Sequence, residues 1–414
     1  MAEIASGKRG FRAAIQRDRA LQLTLVSLIV WSSWALGHHL CSPTADLDCG
    51  VYTDHFSHMN TARLFTYAGT DIWKEPLAAQ GHVLTPDEQA TLPHDIQKIL
   101  HLPTPGVAAS WIPGWPKDKP FLSSWAVYPR FHPPGDLLLT APIALLYSFT
   151  DLSLSGADRL LIFLFVIYAH VSIYFLLRTA FAGEGTRILG LLGAVLAYGE
   201  IVHWTLEGFY EAATIAPLIL SAKFLSERRG SEALLAFSAA LFLHFRALYL
   251  IPYVFYALFI IARDKQWSRW RTKNYVQLAV AAVLSLISGY VFVTLWPQLD
   301  RLPINNPVSI QVESVNVRAV IAFLVVMTAI CVTLAIARSW VDVAVAAWLT
   351  IFLLLFHQAF PWDILTLLAW LGAPSFVGAM KNGLVRDVRL AAIGFIAFFV
   401  FTNPLWPSWI AKVV

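Results

Sequence analysis

A helix that crosses a lipid bilayer needs about 20 apolar residues in a row, with roughly 17–25 tolerated. This chain of 414 residues reaches that length repeatedly, at 20–40, 158–178, 187–206, 209–226, 275–297, 317–337, 340–358, 363–380 and 389–406. Its hydrophobic share of 57% and mean hydropathy of +0.61 exceed the ~45–50% apolar content of an ordinary soluble domain. The expectation is an all-α polytopic membrane protein whose first partner is the lipid bilayer. The net charge of +4 is small and scattered, which argues against a nucleic-acid partner.

Two stretches need a decision. The apolar run 231–262 is 32 residues long and carries His244, Arg246 and Pro252 in its middle. A charge at mid-bilayer costs at least ~2.5–3.5 kcal/mol, so two short helices are predicted, 231–244 and 246–262, meeting at one membrane face. The run 134–149 is 16 residues long, with an acid near its start and Pro142 inside. If it lies on the membrane surface, 19 of the 30 Lys and Arg residues fall on the side of the basic N-terminus. That is the cytoplasmic side by the bias of basic loops, and about eleven transmembrane helices result. The domain plan is then a cytoplasmic N-terminus (1–19), a first transmembrane helix (20–40), an outer loop with membrane-surface helices (41–157) and a transmembrane bundle (158–414).

The polar residues concentrate in 41–134, which holds six of the twelve histidines and nine carboxylates. Asp54 precedes a segment that can be helical from His55 to Ala68, where it is either an N-cap or a general base with a pKa raised by partial desolvation. Arg130 and His132, in YPRFHPPGD after Tyr128, either approach a phosphate or, for the arginine, snorkel to the headgroups. Arg246, with His244, needs a partner at a helix junction; a lipid-linked phosphate or the carboxylates Glu207 and Glu211 would each serve. His357 closes an apolar run and is a cap or a ligand. Cys41 and Cys49 flank a short outer turn and allow a disulfide in an oxidising compartment, whereas Cys331 lies inside an apolar run. CxxC, HExxH, GxxxxGK[ST] and GxSxG are all missing, so no metal site or cofactor is called for.

An Asp before an amphipathic stretch (TDHFSHMNTARLFTYAGTDIW), then YPRFHPP, a surface helix and a helical bundle together resemble the GT-C superfamily of integral membrane glycosyltransferases. Within it, the bacterial polyprenyl-phosphate-mannose-dependent mannosyltransferases look nearest, the matching positions being Asp54, Phe56, Ala62, Arg63, Gly69, Asp71, Ile72 and Trp73. The resemblance implies an inverting transferase of the bacterial inner membrane, active on the periplasmic face. Its donor would be a polyprenyl-phosphate sugar, mannose first among candidates, and its acceptor a hydroxyl of a lipid, glycan or protein. Asp54 would be the catalytic base and Arg246 would approach the donor phosphate. Arg130, His132, Tyr128, His55, His244, Glu207, Glu211 and His357 would make up the rest of the substrate site. TLEGFYE departs from the family in having Glu207 and Glu211 where amides are more frequent. The competing expectation is a secondary transporter or flippase, for which paired broken helices would be the signature; from the sequence only the 231–262 break is visible.

Overall fold

The computed structural model describes residues 18–37, 134–152, 154–181, 188–206, 210–263, 271–299, 317–356, 363–377 and 379–402. Among them there are helices and no strands. They are α1 (Arg19–Gly37), α2 (Pro134–Phe149), α3 (Leu154–Phe181), α4 (Ile188–Leu206), α5 (Ile215–Ser226), α6 (Gly230–Leu243), α7 (Pro252–Arg263), α8 (Thr272–Leu299), α9 (Val317–Ile336), α10 (Trp340–Phe356), α11 (Asp363–Gly372) and α12 (Ala379–Thr402). Two 3-10 turns, Glu211–Thr214 and Phe245–Leu250, precede α5 and α7.

Segments within α1, α3 and α8 are long and apolar enough to cross a membrane, at Arg19–Gly37, Arg159–Thr179 and Thr272–Val293. Their outer faces stay apolar: Val26, Ile29, Val283, Leu286 and Val293 are each more than half exposed, as are Leu196 of α4 and Val325 and Ile336 of α9. Apolar surface on that scale around a packed core calls for lipid. The chain is a helical membrane protein.

Contacts at one end of the bundle join the segments that carry the basic residues. Asp18 caps α1 by accepting from Leu21 N–H at 3.0 Å and takes the Tyr174 hydroxyl at 3.0 Å, beside Arg178. Its carboxyl is held below the usual range, chiefly by the Leu21 N–H. Arg386 donates to Thr179 O at 2.8 Å, and Lys273 lies 3.7 Å from Glu232. The turns after α5 and α9 belong to this end as well. In each an arginine takes the left-handed conformation, Arg228 at φ 57° and Arg338 at φ 60°. The next N–H in each bonds back across the turn, Arg229 to Phe224 O and Ser339 to Leu334 O. That is the Schellman closure usually given to glycine; arginine there sets its charge against the negative end of the helix dipole.

The helix breaks differ from expectation in two places. The run 209–226 is not one helix: a 3-10 turn fills its start and α5 has only 12 residues. The run 363–380 stops as a helix at Gly372, after ten residues. α12 then starts at Ala379, ten residues ahead of the expected 389, and includes Lys381, Arg386 and Arg389. Hydropathy places such charges in a loop, but Arg389 is fully buried and fully engaged. Its guanidinium meets Asp342 of α10 through Nε (2.9 Å) and Nη2 (3.1 Å) and donates to Ala373 O (2.6 Å) and Pro374 O (3.3 Å). Trp370 Nε1 (2.7 Å) and the Ser339 hydroxyl complete the Asp342 carboxylate. The predicted division of 231–262 does occur, at His244, whose backbone is extended (φ −156°, ψ 135°) between α6 and the second 3-10 turn.

A second polar chain fastens α1. His170 Nδ1 faces Val166 O at 2.6 Å, and a carbonyl only accepts, so the ring proton sits on Nδ1 and Nε2 is an acceptor. Ser27 therefore donates to Nε2, Tyr198 donates to Ser27, and Trp31 Nε1 donates to Tyr198, each at 2.8 Å. One directed chain thus ties α1 to α3 and α4.

Breaking the buried Arg389–Asp342 pair from one side leaves an uncompensated charge, so Arg389→Met is expected to cost about 3–5 kcal/mol. The double variant Asp342→Leu with Arg389→Met is expected to recover most of that loss. Unfolding of the purified protein in mixed detergent micelles measures both.

Candidate functional site

Three short helices end against one another inside the bundle. At 1.5 Å per residue, α5, α6 and α7 are about 18, 21 and 18 Å long, well short of the ~30 Å hydrocarbon core of a bilayer. α11, about 15 Å long, packs against both 3-10 turns. Tyr210 packs on Phe165 at 5.9 Å between ring centroids, and the Ser172 hydroxyl reaches Ala212 O. The junction therefore lies about 9 to 20 Å along α3 from Arg159, within its membrane-spanning segment.

Each break has its own physical reason. Ser172 of α3 is fully buried, donates to Ala212 O and accepts from Ala216 N–H at 3.1 Å. It so satisfies the Ala216 N–H, freed where the 3-10 turn becomes α5, and adds a second donor to Ala212 O, which also accepts from Ile215 N–H. His244 ends α6, where its own N–H still bonds Ala240 O at 2.8 Å, and its Nδ1 accepts from Arg246 N–H at 3.1 Å. Trp348 of α10 covers the far end of that turn through Leu248 O at 2.8 Å. Pro252, which has no N–H to place, opens α7.

The side chains meeting here include three expected from the sequence. His244 Nε2 lies 3.6 Å from Glu211 Oε1, and both groups are largely buried. Arg246 follows two residues later. Two further members went unrecognised. Asp136, with no exposed surface, sits in the first turn of α2, and Tyr210, 2% exposed, packs at a tilt against the His244 ring, 5.5 Å between centroids. The charges of Asp136, Glu211 and Arg246 all act on the Tyr210 hydroxyl. α2 reaches the junction because Gly135 has no side chain: a Cβ there would lie 2.5 Å from Phe242 O and 2.6 Å from Leu243 Cα, both backbone. Asp136 looked like an ordinary first-turn acid, and the signal that marked it was that glycine, next to an acid, directly after YPRFHPP.

Asp54, His55, Tyr128, Arg130, His132, Glu207 and His357 lie outside the described residues, as do Cys41 and Cys49. The structure thus brings together Glu211, His244 and Arg246 and adds Asp136 and Tyr210. Chemically, two carboxylates, one guanidinium, an imidazole and a phenol supply acceptors for hydroxyl groups and a single cation for an anion. Ionisable groups at such a depth along a spanning helix are functional candidates by default. No family model, no curated protein and no solved structure matches the chain.

Removing the Ser172 hydroxyl strands the buried Ala216 N–H. Ser172→Ala is expected to lower stability by about 1–3 kcal/mol and to speed hydrogen exchange at Ala216, read by mass spectrometry in nanodiscs.

Proposed function

We propose that the chain is an inverting membrane glycosyltransferase that moves a sugar, mannose first among candidates, from a polyprenyl-phosphate donor to an acceptor hydroxyl. In this reading the eleven helices other than α2 are the membrane segments, of which the short α5, α6, α7 and α11 cross only part of the bilayer, the basic end is cytoplasmic, and the polar junction faces the outer side of the bacterial inner membrane. The observation that carries the reading is the junction, where interruption of the helices at His244 delivers Arg246 among buried hydroxyl-binding groups. The residues that lead into α2 belong to the same 41–133 segment of the sequence that carries Asp54 and the GT-C-like pattern.

The division of labour follows from charge. Arg246 engages the donor phosphate, while the Asp136 carboxylate faces sugar or acceptor hydroxyls. Asp54 takes the proton of the attacking hydroxyl, the oxygen bonds to the anomeric carbon from the opposite face, and the polyprenyl phosphate leaves with the electron pair of the broken bond. The leaving phosphate is already a weak base, so the step needs no protein acid.

The transporter reading gains one observation. α11 ends after ten residues, and Arg389 holds the carbonyls of Ala373 and Pro374 just past its end, which gives the chain a second interrupted helix of the kind that lines transport sites.

Incubating membranes with a panel of radiolabelled polyprenyl-phosphate sugars separates the two. The glycosyltransferase reading expects label in lipid, glycan or protein from one donor, reduced at least about 100-fold by Asp54→Asn with the variant still inserted. Equal incorporation by parent and variant contradicts the base assignment. No incorporation from any donor, together with protein-dependent movement of the donor across liposomes, favours transport.

A further inference from the structure

Within the glycosyltransferase reading, on which its activity test rests, we infer that His244 is a positioning residue: neutral, protonated on Nε2, and fixed between Glu211 and the Arg246 backbone so that it sets the direction of Arg246. Sequence reasoning placed His244 among the groups that touch substrate. The geometry around its ring assigns both nitrogens to the protein instead.

Nδ1 accepts the Arg246 N–H at 3.1 Å. A nitrogen that accepts carries no proton, so the single ring proton of the neutral form is on Nε2. That proton faces Glu211 Oε1 at 3.6 Å, too long for a hydrogen bond and close enough for a charge–dipole contact at a site where both side chains are largely buried. The ring plane is held from the side by Tyr210, at 5.5 Å and an interplanar angle of 58°, and Tyr210 is itself packed on Phe165.

The consequence falls on the next turn of chain. The first N–H groups of any helical turn lack partners within it, and here the His244 side chain serves as the cap of the Phe245–Leu250 turn. Arg246 is the second residue of that turn, so its backbone direction is set where the imidazole binds. Glu211 is the first residue of the other 3-10 turn, and the contact between Glu211 and His244 ties the two turns together. The imidazole thus links the turn before α5 to the turn that carries Arg246.

Two measurements test this on the full chain in nanodiscs. The first is nitrogen-15 NMR of histidine-labelled protein at neutral pH, with the His244 signals assigned by their loss in His244→Asn. A pyridine-type Nδ1 and a pyrrole-type Nε2 are expected. The opposite tautomer, or a doubly protonated ring, overturns the assignment whatever the protein's activity. The second compares transfer from the polyprenyl-phosphate sugar that labels acceptor best. His244→Ala is expected to lower it on the order of tenfold, and His244→Asn, whose side-chain oxygen can take the same N–H, to recover to within roughly threefold of the parent. Because Glu211 acts through the imidazole, Glu211→Ala in the His244→Ala background is expected to cost no more than the larger single loss. Equal losses for Ala and Asn, or fully additive losses, place His244 on the substrate and overturn the inference. Failure of every donor to label anything refutes the glycosyltransferase reading and leaves the NMR result to decide the tautomer.

Discussion

A helix that stops inside an apolar bundle must hand its free backbone groups to something other than water, since an orphaned N–H or C=O in hydrocarbon costs several kcal/mol. The architecture of this protein rests on how that requirement is met. Ser172 serves the start of α5, His244 and Trp348 serve the two ends of the turn before α7, and Arg389 serves the carbonyls of Ala373 and Pro374 just past α11. Each cap comes from a side chain that is buried or partly so, and three of the four come from a distant part of the chain. The interruptions are therefore built into the fold.

Their consequence is a set of polar groups where a continuous bundle would have none. Had α5, α6 and α7 run straight through, Glu211, His244 and Arg246 would each have faced lipid or apolar helix. Ending the helices early leaves the charges of Asp136, Glu211 and Arg246 acting on the Tyr210 phenol, with Gly135 letting α2 approach α6 closely enough to add Asp136. The opposite end is built by contrasting means, from tight turns closed on arginines and from ion pairs at the surface. That separation of a basic end from a mixed-charge interior is what the proposed orientation draws on.

Much of the helical plan was legible because apolar length is a local property. The bounds of α1, α4, α8, α9 and α10 fall within a few residues of the runs that predicted them, and the break at His244 could be read because an arginine and a proline sat in one over-long run. α11 and α12 could not. Whether Arg389 belongs in a helix depends on Asp342, 47 residues earlier, and no sequence window around Arg389 contains the carboxylate that neutralises it. Ser172 was invisible for the same reason, since the carbonyl it serves is 40 residues away. At the junction, charge marked Glu211 and Arg246, whereas Asp136 and Tyr210 acquire meaning only through their neighbours.

The central claim is that the polar junction is reached from the face opposite the basic end. The direct measurement is thiol labelling with a reagent that does not cross bilayers, applied to right-side-out and inverted vesicles. It compares Arg246→Cys with Arg229→Cys in a chain whose three native cysteines are replaced by serine. Labelling of position 246 in one vesicle orientation and of position 229 in the other is the predicted result. Labelling of both positions from the same face would contradict the account.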